Sequence, residues 1–445
     1  MGPASSGADA MNKYLAKLGF QYFQIFETRR QTVSIARNDL FTSQDEGLQI
    51  RIPFNGTLMT VRTSSSSAPE AMRFLRRYSR KPQTRQKLLI RIPTAQVNKS
   101  ISYGSSPQLD REEECREAIE YFHTEANDRQ LRTLSYVDVI ELVKIFRDSL
   151  GSRIVQRWVT TSARITATHP RTGLILQDHL CSVGDSPLAL VDENSVRYGS
   201  LLEKLLTAPN PAEPPARLRG TVLLDTQAAS ALFHEMGHLL EGDNYLDQRL
   251  TKGTMVCSDE VCITDSPISD RKSPTYHRFD DEGFSTTTRL LLDHGIVAET
   301  IDTTETAVRT GGTPGGCRIP EWRDPVIPRM SRLQVSLDNK VCETGDEKDR
   351  VVLVGSRRGS ADIESGTIEI EGQFCQAVTH ARRMVSYPNP ILRLYNRARK
   401  RSSIWAVSKA EEVIQSNCTK TGSTVIVECS APQILLSDCE IVFGG

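Results

Sequence analysis

The sequence predicts an α+β protein. Residues 1–214 read as an N-terminal mixed α/β domain of antiparallel sheet and helices, and residues 215–445 as a β-rich domain carrying one conspicuous helix. Three observations lead there. Alternating apolar and polar runs crowd the N-terminal part and return in the last third. A Pro-rich stretch, Pro209-Asn210-Pro211-Ala212-Glu213-Pro214-Pro215, breaks the chain near its middle and is the natural boundary. The length of 445 residues also favours two or three domains over one.

Taken in order, residues 20–62 read as strands. Leu48, Ile50, Ile52 and Phe54 alternate with polar neighbours, Asn55-Gly56 follows, and TLMTVR resumes the pattern. Asn-Gly between two such runs signals a tight hairpin. TSSSSAPEAMRF reads as a loop and a helix start, leading into a basic segment with Arg73, Arg76, Arg77, Arg80, Lys81, Arg85 and Lys87. From Ser135 the spacing predicts a helix. Val139, Leu142, Val143, Phe146 and Leu150 fall at i, i+3, i+4, i+7 and i+11, with Ser135 and Asp138 as its N-terminal cap. Residues 152–168 return to β-branched alternation. Beyond the Pro-rich stretch, VVLVG, GTIEIEG, STVIVE and QILLSDCEIVF read as short strands, while TQAASALFHEMGHLLEGD reads as the helix of this half.

Composition narrows the function. Lys+Arg and Asp+Glu both number 55, so the formal net charge is zero, unlike a protein built to grip phosphate backbones or anionic membranes. A second basic run, Arg393, Arg397, Arg399, Lys400 and Arg401, lacks the interleaved aromatics of a single-strand platform, so no nucleic-acid partner is expected. No apolar run approaches the roughly 18 residues of a membrane-spanning helix, and no membrane partner is expected. The first twenty residues lack the apolar core of a secretory signal, and the ten cysteines form no C-x-x-C pair. They read as reduced thiols in a cytoplasmic protein.

One motif carries chemistry. His234-Glu235-Met236-Gly237-His238 is an H-E-x-x-H match. Histidines four apart on a helix sit about 40° apart around its axis, so both imidazoles can reach one ion. Two imidazoles, a third ligand and an open position suit Zn2+. The ion would lower the pKa of a bound water to near 7 and polarise a scissile carbonyl. Glu235, as the catalytic base, would take the water's proton and pass it to the leaving amine. Spacing alone leaves the third ligand open. Asn244 stands where a metzincin would need histidine, which excludes that class. Glu241 and Asp243 read as solvated acids at a helix end, and Glu260, His277, Glu282 and several cysteines remain candidates.

The wider sequence resembles the TldD/PmbA family of metalloproteases, in particular its catalytic TldD-like branch. F-H-E-M-G-H-L-L-E-G-D is similar to the family's H-E-x-x-G-H-x-L-E-G-D. Phe279-Asp280-Asp281-Glu282-Gly283 resembles F-D-D-E-G, and Leu290 through Gly295 resembles L-I-E-N-G. Pro328-Arg329-Met330-Ser331 resembles P-R-M-S-N, with Arg332 in place of Asn, and Asn417 through Gly422 falls where the family has C-G-K-x-G-Q. The resemblance implies that Cys418 joins His234 and His238 as the third metal ligand. It also implies hydrolysis of unfolded or small flexible peptides, including maturation of ribosomally made peptide precursors, by a homodimer or a heterodimer with a TldD/PmbA-type chain. Two departures stand out. Two residues separate Glu235 from His238 where the family has three, and Thr419 replaces the glycine after the cysteine. The first motivates a second expectation, a non-catalytic zinc-binding partner subunit of such a complex.

Overall fold

The computed structural model describes the chain apart from residues 1–6, 19, 21, 37–38, 55–56, 65–66, 80–95, 105–110, 185, 339–349, 380–381, 396–403, 407–411 and 444–445. Of the two basic runs, Arg73, Arg76, Arg77 and Arg393 are described; Arg80, Lys81, Arg85, Lys87, Arg397, Arg399, Lys400 and Arg401 lie outside the described residues.

The first part of the chain runs through helix α1 (Gly7–Lys17), strands β1 (Gln24–Ala36), β2 (Asp39–Phe54) and β3 (Thr57–Ser64), and helix α2 (Ala68–Ser79). It continues through β4 (Asn98–Tyr103), α3 (Glu112–Asn127), β5 (Arg132–Asp148), β6 (Arg153–Thr168), β7 (Ile175–Val183) and α4 (Pro187–Leu206). Its strands form one sheet in the order β3-β2-β1-β5-β6-β4, with β7 also paired to β6. β2 and β3 pair from Gly47↔Ser64 to Phe54↔Thr57, the register a hairpin across 55–56 requires.

The helix expected from Ser135 is instead β5, hydrogen-bonded to β1 on one side and β6 on the other. Ser135, Val137 and Val139 are buried and alternate with more exposed neighbours, a period of two. Further on, Ile145, Phe146, Arg147 and Asp148 are all buried. A strand enclosed on both faces loses its alternation there, and the remaining apolar positions happened to match helical spacing.

α3 and α4 cover one face of this sheet, where Phe122, Tyr198 and Leu202 pack on Val137, Val139 and Ile165. The other face meets loops from the second half of the chain. Trp158 Nε1 donates to Tyr276 O at 2.9 Å, Gln156 Nε2 to Phe279 O at 2.9 Å, and Lys144 Nζ pairs with Asp281 at 2.7 Å. The Phe279–Gly283 segment is the knot of this contact. Asp280 accepts from the backbone of Glu282, Phe284 and Cys317, and Glu282 pairs with buried Arg51 and accepts from Thr304. Gly283 has φ +85°, and a Cβ there would lie 2.4 Å from the Phe146 ring. Only glycine fits both conditions.

The second half begins with β8 (Arg217–Leu224), helix α5 (Thr226–His238) and the short helix α6 (Gly242–Asp247). β9 (Val261–Asp265), β10 (Arg289–Asp293), β11 (Ile296–Val297), α7 (Thr306–Thr310) and β12 (Arg332–Leu337) follow. Then come β13 (Arg350–Val354), β14 (Arg358–Asp362), β15 (Thr367–Glu371), β16 (Phe374–Val378), β17 (Met384–Pro388) and β18 (Pro390–Leu394). The chain ends with β19 (Ile404–Ala406), β20 (Val413–Lys420), β21 (Ser423–Ser430) and β22 (Ile434–Phe443). The segments VVLVG, GTIEIEG, STVIVE and QILLSDCEIVF are thus β13, β15, β21 and β22. Among the described residues these strands form two sheets, β11-β10-β9-β12-β21-β20 and β14-β15-β18-β22-β8-β13-β16-β17, with β19 on β22. α5 lies between them, touching β14 and β15 of the larger sheet and β12 and β21 of the smaller. Val354 and Phe374 of the larger sheet also enter the core under α3 and α4.

His277 is 6% exposed beneath the first sheet, its Nδ1 donating to Thr275 O at 2.7 Å. Burial holds its pKa down to about 3, so it is neutral when folded. As pH falls below the ordinary 6.5, the unfolded chain takes a proton the folded chain refuses, and stability is lost. By pH 5 this side chain alone costs about 2 kcal/mol. Urea unfolding at pH 7.5 and 5.0 should show wild type losing more than His277→Gln over that interval; equal losses would refute the assignment.

Candidate metal centre

α5 starts where Asp225, just past β8, accepts the Ala228 N–H at 3.0 Å as its N-cap. The helix is wrapped on nearly all sides, and Ala228, Ala229, Leu232, Phe233 and Met236 belong to the largest apolar core. His234 and His238 project from one face, their ring centroids 5.0 Å apart. Opposite them stands Cys418 of β20. The Cys418 Sγ lies 3.1 Å from His238 Nε2, and the ligand atoms of His234, His238 and Cys418 all fall within 4.8 Å of one another. Residues 180 positions apart in sequence are therefore brought to the separation that one small cation needs.

Glu241 holds this arrangement. It is fully buried at the end of α5, and its Oε2 accepts from His238 Nδ1 at 2.8 Å and from Lys420 Nζ at 2.8 Å. Its Oε1 accepts from the Met330 N–H at 3.2 Å, with Arg329 Nε 4.0 Å away. With Nδ1 committed to Glu241, His238 turns Nε2 toward Cys418, the orientation an outer carboxylate imposes on metal-binding histidines. Arg329, also fully buried, donates to Cys418 O and Ser423 O and so pins both strands of the β20–β21 hairpin.

The electrostatics follow from these contacts. Burial alone would raise the Cys418 thiol, but the charges and hydrogen bonds of His234 and His238 outweigh it and hold the group well below its usual range. A thiolate is therefore ready to ligate. Burial alone would lower His238, yet Glu241 and Cys418 carry it well above its usual value. Glu241 stays strongly acidic despite its burial because His238 and Lys420 stabilise the anion. Glu235 moves the other way, raised chiefly by burial.

Glu235 shares one cleft, of about 700 Å³, with His234, His238 and Cys418. β14 passes over its carboxylate, and a Cβ at Gly359 would lie 2.5 Å from Glu235 Oε1. A second cavity, of about 340 Å³, lies on the first sheet beside Lys144, Trp158, His277 and Arg318, and meets the cleft at Asn417.

Among the described residues, neither Glu260, His277 nor Glu282 joins the His234–His238–Cys418 cluster. His277 lies in the second cavity and Glu282 is bound to Arg51. Glu241, expected to be a solvated acid, is instead buried against His238. Asp243 accepts from Lys420 Nζ at 2.6 Å. The roles of Glu241, Arg329 and Lys420 were missed in the sequence, although L-E-G-D, P-R-M-S and C-T-K carry them in segments already matched to the family pattern.

Glu241→Ala would leave Lys420 and Arg329 without their buried counter-charge. It should destabilise the chain by about 3–5 kcal/mol, read from urea unfolding, with a smaller loss for Glu241→Gln. No loss for the alanine variant would mean that the network is not holding the hairpin.

Residues 218–379 match the family model described as PmbA/TldA metallopeptidase C-terminal domain. The chain is similar to a protein named metalloprotease from Archaeoglobus fulgidus, 26% identical over 67% of this chain and 70% of that one. It is also similar to a metalloprotease from Methanothermobacter thermautotrophicus, 26% identical over 61% of this chain and 62% of that one. In fold it is similar to the crystal structure of TldE from Thermococcus kodakarensis, with a TM-score of 0.71, 13% identity, and 98% and 100% of the two chains covered. A proposed modulator of DNA gyrase from Thermotoga maritima gives a TM-score of 0.72 at 16% identity, covering 98% and 99%. With the helix, the FDDEG knot and the hairpin cysteine all in the family's order, the matched domain, the relatives and the shared fold together support a member of the TldD/PmbA family.

Proposed function

We propose that this chain is a zinc-dependent peptidase that hydrolyses peptide bonds in unfolded or small flexible peptides. The observation that carries the reading is the meeting of His234, His238 and Cys418 within 4.8 Å, with Glu235 lining the same cleft. Two imidazoles and a thiolate form a donor set suited to zinc. When bound, the ion supplies Lewis acidity to the attacking water and the scissile carbonyl. Glu235 accepts the water's proton on its carboxylate and delivers it to the leaving amine. Burial lifts its proton affinity toward the range where one group can both take and return a proton. Glu241 keeps the His238 ring aimed throughout the cycle.

The cleft walls bear on the substrate. β14 ends the larger sheet and β20 ends the smaller one, and residues of both line the cleft. An extended peptide can add to such an edge through backbone hydrogen bonds, with weak demands on side chains. A folded domain presents no isolated extended segment to thread into a cleft of about 700 Å³. Precursor peptides are the natural substrates on this reading, and the working unit is a dimer with itself or with a TldD/PmbA-type chain. The shortened spacing between Glu235 and His238 supports a second reading, a zinc-binding subunit without catalysis of its own.

Glu235→Ala separates the two readings. Cleavage of casein should disappear while zinc, measured by elemental analysis, stays near one ion at this centre; unchanged cleavage would exclude Glu235 as the base. Wild type should spare folded globular proteins under the same conditions. Gly359→Ala would push the Glu235 carboxylate aside without touching a ligand. It should lower kcat by about tenfold or more at unchanged metal content, and an unaltered kcat would show that the carboxylate's position is not critical.

A further inference from the structure

A second set of metal-type donors lies on the far side of the smaller sheet from β20. Cys262 sits on β9, and the turn from β10 into β11 presents Asp293 and His294. Their Sγ, carboxylate oxygen and ring nitrogen all lie within 4.8 Å of one another. His294 Nδ1 is 2.8 Å from Asp293 Oδ1 and 3.9 Å from Cys262 Sγ. On the other side of the ring, His294 Nε2 is 2.7 Å from Asp338 Oδ2, just past the end of β12.

We propose that Cys262, Asp293 and His294 form a second cation site, for zinc or a similar divalent ion that accepts sulfur, nitrogen and oxygen together, with Asp338 holding the imidazole from behind. The donor chemistry argues for it. One thiol, one imidazole and one carboxylate suit zinc and do not suit magnesium or calcium, which prefer oxygen alone. The spacing argues for it as well. Ligand bonds of 2.0–2.3 Å in a tetrahedral shell place ligand atoms about 3.3–3.8 Å apart, so the His294–Asp293 and His294–Cys262 separations need side-chain adjustments of only a few tenths of an ångström to about half an ångström. An imidazole that ligates through one nitrogen and donates its other N–H to a carboxylate is the usual outer support of a bound ion. That is the relation of His294 to Asp338.

The location fits an ion taken up from solvent. Among the described cysteines Cys262 alone is not buried, and the Asp293 and His294 side chains are 56% and 54% exposed. Three protein ligands leave a fourth position open to water or to a group from another molecule. The site is separate from the cleft: β12 and β21 stand between β9 and β20 in the sheet.

The test is zinc stoichiometry of the full chain, kept reduced, equilibrated with excess zinc and freed of loose ion by gel filtration. Wild type should hold two zinc ions, Cys262→Ser and Asp293→Asn one each, Cys418→Ser one, and the Cys262→Ser/Cys418→Ser double variant none. Because the substituted surface groups are accessible, circular dichroism should show an unchanged fold. Equal zinc in wild type, Cys262→Ser and Asp293→Asn would overturn the proposal. A drop confined to Cys418→Ser would overturn it too while leaving the peptidase centre intact. Loss in Cys262→Ser with no change in Cys418→Ser would uphold the second site and remove the first.

Discussion

A carboxylate with no access to water has to be satisfied where it stands, and Glu241 is such a group. Its two oxygens collect a ring nitrogen from α5, an ammonium from β20 and a backbone N–H from the segment leading into β12. Those three elements are far apart in sequence and belong to different parts of the second half. Each could move independently if the carboxylate were absent. Because it is present and buried, the end of α5, the Cys418 hairpin and the Pro328–Ser331 segment are locked in one relation. The approach of Cys418 Sγ to His238 Nε2 follows from that lock.

The surrounding architecture serves the same end at longer range. α5 is enclosed by two sheets, and its polar face opens into the cleft lined by β14 and β20. The first sheet contributes support and a second cavity. Its Arg51 and Lys144 neutralise Glu282 and Asp281, and the loop they anchor carries His277 and precedes β10. Arg318 extends this link, donating to Met330 O at 2.7 Å and Ile426 O at 2.8 Å. Polar ties of this kind are costly to leave half-made, which favours a single relation between the first sheet and the His234–His238–Cys418 cleft.

The 48–54 and 57–62 runs were legible as a hairpin because Leu48, Ile50 and Ile52 still alternate with polar residues and Asn-Gly follows, although Gln49 and Arg51 are buried too and Phe54 is exposed. The strand β5 was misread because it is hydrogen-bonded on both sides, partly buried over residues 140–144 and buried on both faces over its last four residues, so its apolar positions carry no single period. Glu241 was misread for a related reason. An acid at a helix end is usually solvated, and nothing local announces that Lys420 and Arg329 will arrive to neutralise it.

The sequence by itself determined the chemistry on offer. Two histidines and a glutamate at helical spacing, with a strand before them and glycine after, specify a helix that presents two imidazoles together, because helix geometry is local and repeats every few residues. The family resemblance pointed to Cys418, but only the tertiary structure shows that this thiol meets the two histidines and that the candidate acids do not. Cys418 reaches the histidines, while Glu282 is drawn away to Arg51 and His277 is sealed under the first sheet. Those choices depend on sheet order, on which edges are left free and on where buried charges find partners. All three are sums over contacts hundreds of residues apart, and no local pattern in the chain encodes them.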